Sequence, residues 1–455
     1  MKKLSALMGY GIGDFGLNIY WNALSVWLVF WYTTVVGLEP SVAGTIFFIG
    51  MIWDAVSDPL TAAISERVRT PFGTYRPFIL FGGLIAAVSF LFLFWVPPFS
   101  GMALLAFLLM TNLVFRTAYT LVAIPYTALS SRISYDSVER TEFTGVRMFF
   151  AFLGLLFISS AFPLMINHFS EQYGGAETGF LMAAAIGSVI ATIALLICFF
   201  GTREQPLPAQ TVRARLSWSQ VFNLVKDNHV LQLLMSVIVL KSGAMACINI
   251  SLLFLIVSNQ DTFASKEVVL TSYAIATMVA IPVWTLLARK IGKKKTWTAS
   301  AVLVGLAGLH LLLFGATLVH GVPVQILVFG ISSGALAFLL WAFLPDSVEY
   351  GQRASGQRSE SVVFGAAAIV QKLAGGFMGF VVGHALELTG YDNEASVQSA
   401  EVGANILAFL AICPALMLFL SIVPILLLPL DRNIHAGIVK KLSGQSAEGQ
   451  TGEPV

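Results

Sequence analysis

Charge is what this sequence has least of. Asp, Glu, Lys and Arg make up 11% of its 455 residues, while 57% are hydrophobic. An ordinary soluble domain carries about 25% charged residues. So apolar a chain cannot cover a water-facing surface with polar groups, which excludes a soluble globule and makes lipid its natural solvent. Cysteine is nearly as scarce. Cys198, Cys247 and Cys413 all lie inside apolar runs, which argues against a disulfide framework and a cysteine metal site. The six histidines have no metal-ligand spacing either. A Gly-rich phosphate loop ending in Lys-Ser/Thr is absent, which argues against ATP-driven transport. The Gly9-Tyr10-Gly11-Ile12-Gly13 run has no strand before it and reads as close helix packing. With no nucleophile or metal constellation, the chain reads as no enzyme and needs no organic cofactor. A net charge of +2 offers nothing to a nucleic acid.

Long apolar runs are what it has in abundance. A helix that crosses a bilayer needs about 20 predominantly apolar residues. That window predicts twelve spans, near 6–37, 42–65, 77–97, 102–131, 146–168, 178–201, 229–257, 267–288, 297–317, 323–345, 362–388 and 404–429. Runs this long satisfy their backbone in lipid only as helices. The first is far longer than the apolar part of a secretory signal and carries Asp14, Asn18 and Asn22, so it reads as a span. If both termini are cytoplasmic, Lys2, Lys3, Arg67, Arg69, Arg76, Arg132, Lys293 to Lys295, Lys440 and Lys441 all fall inside, and Lys266 alone falls outside. That bias sets the orientation.

A polar stretch between Gly201 and Asn228 divides the chain in two. The expected organisation is a first six-helix bundle at 1–201, a cytoplasmic loop at 202–228, a second bundle at 229–431 and a disordered cytoplasmic tail at 432–455. The halves echo one another. Asp136-Ser137-Val138-Glu139 follows the fourth run and Asp346-Ser347-Val348-Glu349 the tenth. The basic loop Glu66-Arg67-Val68-Arg69 after the second run answers Arg289-Lys290-Ile291-Gly292-Lys293-Lys294-Lys295 after the eighth. Two matches in register point to duplicated halves, as in many transporters. The predicted fold is an all-α membrane protein of twelve transmembrane helices in two pseudo-symmetric bundles.

Several charges lie deep in the runs: Asp54 and Asp58 in the second, Arg116 in the fourth, Lys241 in the seventh and Lys372 in the eleventh. An ionisable group there is costly and normally faces a cavity or a partner. Most sit about a dozen residues from a run's end, ~18 Å along a helix, near the midplane where transporters bind their cargo. Asp54 and Asp58 are spaced i,i+4 and project from one helix face. Two carboxylates so close in low dielectric need a proton or a metal cation between them. Pro59 frees the carbonyl of Ala55 as a further oxygen, and hard cations want oxygen ligands. The spacing therefore fits a Na⁺ or H⁺ site; the alternative is that the aspartates pair with Lys372 or Arg116 and lock helices together. Asp14, Asn18, Trp21, Asn22 and Ser25 form one polar stripe on the first run, fit to line a cavity or to bind neighbouring helices. Arg116, Tyr119, Thr120 and Ala123 share a face of the fourth.

At these residues the sequence resembles the glycoside–pentoside–hexuronide:cation symporters, the melibiose permease group of the major facilitator superfamily. The resemblance spans nearly the whole chain. It is carried by GYGIGDFG at 9–16, YTTVVGL at 32–38, WDAVSDP at 53–59, FGTYRPFIL at 72–80, YTLVAIPYTALSS at 119–131, Arg147, PDSVEYG at 345–351 and QRSESVVFGAAAIVQKLAGG at 357–376. It implies alternating access between two bundles, a cation site at Asp54, Asp58 and the Thr120 hydroxyl, a site arginine at Arg147, and a coupling lysine at Lys372. Tyr119 and Trp53 fall at positions beside the sugar. Galactoside-binding members carry two aspartates where this chain has Asn18 and Ala123, while Arg116 and Lys241 are added cations. That exchange favours an anionic sugar, a hexuronide or sulfonated glycoside, with Arg116 as its bidentate contact. A neutral pentoside held by Asn18, Asn22 and aromatic stacking, with Arg116 paired internally to Asp54 or Asp58, is the alternative, and a lysophospholipid or other amphiphile is another. Na⁺ is expected ahead of H⁺, because both aspartates and Thr120 are present. The protein is expected to be a monomer in a cell membrane, the inner membrane of a Gram-negative source.

Overall fold

The computed structural model describes residues 2–429, apart from 66, 134–136, 206–225, 259–262, 356–359, 393–394 and 396–397. Most of the 202–228 loop, Asp136 of the first echo and the 432–455 tail lie outside the described residues.

The chain is almost wholly helical. The helices that matter are α1 (Lys2–Asn22), α2 (Pro40–Ser65), α3 (Gly83–Leu93), α4 (Gly101–Ile133), α5 (Ser137–Tyr173), α6 (Ala176–Gly201), α7 (His229–Ser258), α8 (Lys266–Ile291), α9 (Lys293–Phe314), α10 (Val324–Ser355), α11 (Glu360–Leu388) and α12 (Ala400–Leu427). Among the described residues, ten helices are long and apolar enough to cross a membrane. The two runs that fall short do so for local reasons. Beyond Asn22, α1 continues through two π-helical turns, Ala23–Trp27 and Trp31–Val35, which divide its first run. A π turn, Phe78–Gly82, also opens the third run, and α3 ends at Leu93, short of the predicted 97. Pro97 and Pro98 follow, and a residue before proline avoids the α region. Elsewhere helices outrun their apolar stretch: α10 extends ten residues past the expected 345, through Pro345 and Asp346. Apolarity marks the part that meets lipid, not the whole helix. A two-stranded hairpin, Leu318–Val319 with Val322–Pro323, turns through His320 and Gly321 at positive φ. The sequence reading missed it.

Helix contacts fall into two sets. α1 packs on α5 and α6, α2 on α4, and α3 on α4 and α6. In the second half α7 packs on α11 and α12, α8 on α10, and α9 on α10 and α12. Between the sets the main seams are α2 against α11 and α5 against α8. The first brings backbones together: a Cβ on Gly44 would meet the Gly379 carbonyl at 2.7 Å, and one on Gly383 would strike that of Pro40. Small residues at such crossings let helices approach where lipid gives no hydrophobic drive. At the second seam Asn167 donates to Glu267 Oε1 at 2.5 Å. The α2–α11 seam ends, toward the middle of the helices, at the polar cluster described next.

Candidate functional site

α2 and α4 pack side by side, and the i,i+4 spacing of Asp54 and Asp58 turns both carboxylates toward α4. There the Arg116 guanidinium donates through Nη1 to Asp54 Oδ2 at 2.6 Å, with both side chains 1% exposed. Arg116 is anchored by Asn112, whose Oδ1 accepts from Nε at 2.9 Å and whose Nδ2 donates to the Ile46 carbonyl at 3.1 Å. One turn along, Thr120 Oγ1 donates to Asp58 Oδ1 at 2.9 Å. From the other helix set, Lys372 of α11 pairs closely with Asp58 Oδ2 and lies 3.9 Å from Asp54 Oδ2. Two carboxylates thus meet two cations and a hydroxyl in one buried knot. Two of its atoms lack a partner in the structure: Asp54 Oδ1 and Arg116 Nη2 are buried without a hydrogen bond. An unpaired buried polar atom is costly, and in a native protein it commonly marks a place meant for an ion, water or ligand.

The α1 stripe borders this knot. Arg147 of α5 donates through Nε to Asp14 Oδ1 at 3.1 Å, with the arginine 30% exposed and the aspartate 5%. Asn18 and Asn22 donate along their own helix to the carbonyls of Asp14 and Asn18, at 2.9 and 2.8 Å. Trp21 stacks on Tyr119 with ring centroids 6.0 Å apart, and the Lys372 ammonium lies 5.8 Å from the Trp21 ring. That cation–π contact ties the stripe to the knot. Ala123, one turn from Tyr119, is half-buried and offers only a methyl group.

Two residues stand elsewhere. Trp53 is 39% exposed and donates to Thr117 Oγ1 at 2.8 Å. Lys241 of α7 is buried and makes no hydrogen bond or ion pair with any described residue. One and two turns on, Met245 and Asn249 are half-buried on a helix that is otherwise among the most enclosed. On sequence grounds Arg116 is either the contact for an anionic cargo or an internal partner of the aspartates; here its Nη1 is paired with Asp54. Sequence reasoning had not picked out Asn112, although Asn four residues before a buried Arg is a legible i,i+4 pair. Nor had it paired Asp14 with Arg147, which are 133 residues apart.

A helical bundle that crosses a membrane many times, with a charged knot where its helix sets meet, has the form of a secondary transporter. A family model described as MFS/sugar transport protein matches residues 9–432, and the chain belongs to that family. It is a multi-pass membrane transporter and not an enzyme. Among its relatives, the uncharacterized symporter YnaJ of Bacillus subtilis is 28% identical over 98% of this chain and 96% of its own. The isoprimeverose transporter of Lactiplantibacillus pentosus is 28% identical over 86% and 81% of the two chains. The glucuronide carrier protein homolog of Escherichia coli is 27% identical over 96% and 95%. Of solved structures, a bacterial homologue of the human drug peptide transporters superposes with a TM-score of 0.67 at 15% identity, over 93% of this chain and 98% of that one. The nucleoside transporter NupG gives 0.64 at 14%, over 93% and 98%. At such identities these structures speak to the fold alone.

Proposed function

We propose that the protein is a symporter of twelve transmembrane helices in two pseudo-symmetric six-helix bundles, with cytoplasmic termini, that couples entry of Na⁺ to uptake of a sugar-like solute. H⁺ is the alternative coupling ion. The observation that carries this reading is the knot of Asp54, Asp58, Thr120, Arg116 and Lys372, with one carboxylate oxygen left unpartnered. Its oxygens are hard ligands of the kind Na⁺ prefers, and two neighbouring carboxylates bind such an ion better than a lone one. Lys372 comes from the other helix set, so a cation that takes its place on Asp58 loosens a contact across the α2–α11 seam. Coupling then needs no relay: the ion and the seam compete for one carboxylate.

The solute is an anionic glycoside, held by the α1 stripe (Asn18, Trp21, Asn22), by Tyr119 and the space left by Ala123, and by Arg147 and Lys241. Charge supports that class. The helices set three aspartates, Asp14, Asp54 and Asp58, against four cations, Arg116, Arg147, Lys372 and, away from the knot on α7, the buried Lys241. Six of these seven are paired; Lys241 is left over and wants an anion. One relative is named for a glucuronide and another for isoprimeverose, so the family supports a sugar cargo of either charge. A neutral glycoside is the second reading, favoured by the Arg116–Asp54 pair, which removes the guanidinium from the cavity.

Thermal stabilisation of the purified protein separates these readings, with a glucuronide, its neutral glucoside and a lysophospholipid each tested in Na⁺ and in K⁺. A ligand at a hundred times its Kd adds ~2.7 kcal/mol of stability. The expected result is stabilisation by the glucuronide in Na⁺ only. Equal stabilisation by the glucoside overturns the anionic class, and a response to the lipid alone overturns the sugar reading.

A further inference from the structure

The basic loop after α8 borders a cleft of about 1050 Å³ that the transport site does not use. It is lined by Arg289, Lys290, Lys293, Lys294 and Lys295 together with the apolar side chains of Ile291, Phe338 and Leu426. Five cations face one lining carboxylate, Asp346, which leaves a formal surplus of four positive charges. Asp346 is spent on Lys293, whose Nζ reaches its two oxygens at 2.7 and 3.0 Å and the Ala342 carbonyl at 2.7 Å. Lys294 donates to the Leu428 carbonyl at 2.5 Å. Arg289, Lys290 and Lys295 are exposed and make no hydrogen bond or ion pair with any described residue.

The matching loop of the first half shows what fills such a place. There Glu204 accepts the backbone N–H groups of Thr74, Tyr75 and Arg76 at 2.9, 2.7 and 3.0 Å. Arg76 in turn donates to the Phe199 carbonyl. The chain supplies its own anion on that side. On the other side the one carboxylate lining the cleft, Asp346, serves Lys293, against five lining cations.

We propose that this cleft binds the phosphate headgroup of an acidic phospholipid. The location supports a lipid. The loop joins the ends of two spans, where headgroups lie, and the neighbouring outward residues are bare apolar side chains: Val283 at 63% and Leu286 at 58% exposed on α8, Val423 and Leu427 on α12. A phosphate in the cleft puts its acyl chains against that surface. Basic pockets between helix ends on the cytoplasmic side are suited to such headgroups.

The test is lipid retention by the full-length protein, purified in detergent and offered phosphatidylglycerol or phosphatidylcholine in mixed micelles. Wild-type protein is expected to retain phosphatidylglycerol at least tenfold more tightly, and the R289Q/K290Q/K295Q variant to lose that preference. The R67Q variant, in the loop that Glu204 serves, is expected to keep it. Equal retention of the two lipids by wild type, or an unchanged preference in the triple variant, overturns the proposal. Competition by glycerol 3-phosphate as strong as that by the lipid overturns it too, because the occupant is then a soluble phosphate.

Discussion

The two helix sets divide charge unequally. The first carries both carboxylates of the central knot, Asp54 and Asp58, and Asp14 beside it, together with Arg116 and Arg147 to balance two of the three. The second contributes a cation, Lys372, which crosses the seam to Asp58, and carries a second, Lys241, away from the knot and paired with nothing described. The echoes between the loops of the two halves lead one to expect a shared polar plan, and the two sets do not have one. In a symporter the difference divides the labour. An acidic half is a place for a cation to bind, and a basic half facing it is a place for an anion or for a switchable counter-charge.

The sharpest way to break the comparison is to unbalance the acidic half from within. R116M leaves Asp54 buried with only the more distant Lys372, 3.9 Å away, as counter-charge, at a cost of ~3–5 kcal/mol. The thermal midpoint of the purified protein checks this. The D54N/R116Q double variant is expected to recover much of the loss, because it removes both charges. A single variant as stable as wild type means that the pair is not the buried contact described.

Next comes the seam. D58N removes the partner of Lys372 and one arm of the cation site, at ~1.5–3 kcal/mol for a hydrogen bond to charge. Coupled accumulation in membrane vesicles is expected to fail, while exchange of solute across the membrane partly persists. Accumulation at the wild-type level contradicts the assignment. K241M tests the basic half alone. Glucuronide affinity is expected to fall about tenfold, ~1.4 kcal/mol, with the glucoside unchanged. An equal effect on both ligands makes Lys241 a packing residue. Smallest is T120V, which deletes one hydroxyl from Asp58 for ~1 kcal/mol and weakens Na⁺ binding about fivefold. No change in a Na⁺ titration removes Thr120 from the site.

Much of this was legible in the sequence because membranes make patterns strict. The run lengths located the helices, and the i,i+4 spacing of Asp54 and Asp58 placed both on one face, where Arg116 and Thr120 of α4 meet them. What the spacing left open was which cation serves which carboxylate. Arg116 was a contact for cargo or an internal partner on sequence grounds, and only the register of α4 against α2 decides for Asp54. The same holds for Asp14 and Arg147, whose pairing depends on how α1 packs on α5. The π turns beyond Asn22 were unreadable for a different reason: one extra residue per turn leaves an apolar run looking continuous.

The central claim is that Asp58 holds the coupling cation in competition with Lys372. Equilibrium binding of radioactive sodium to purified wild-type and D58N protein, with choline as the background cation, tests it most directly. The account predicts saturable sodium binding in wild type that D58N loses, while D58N keeps its fold by circular dichroism. Sodium binding by D58N with wild-type affinity would contradict it.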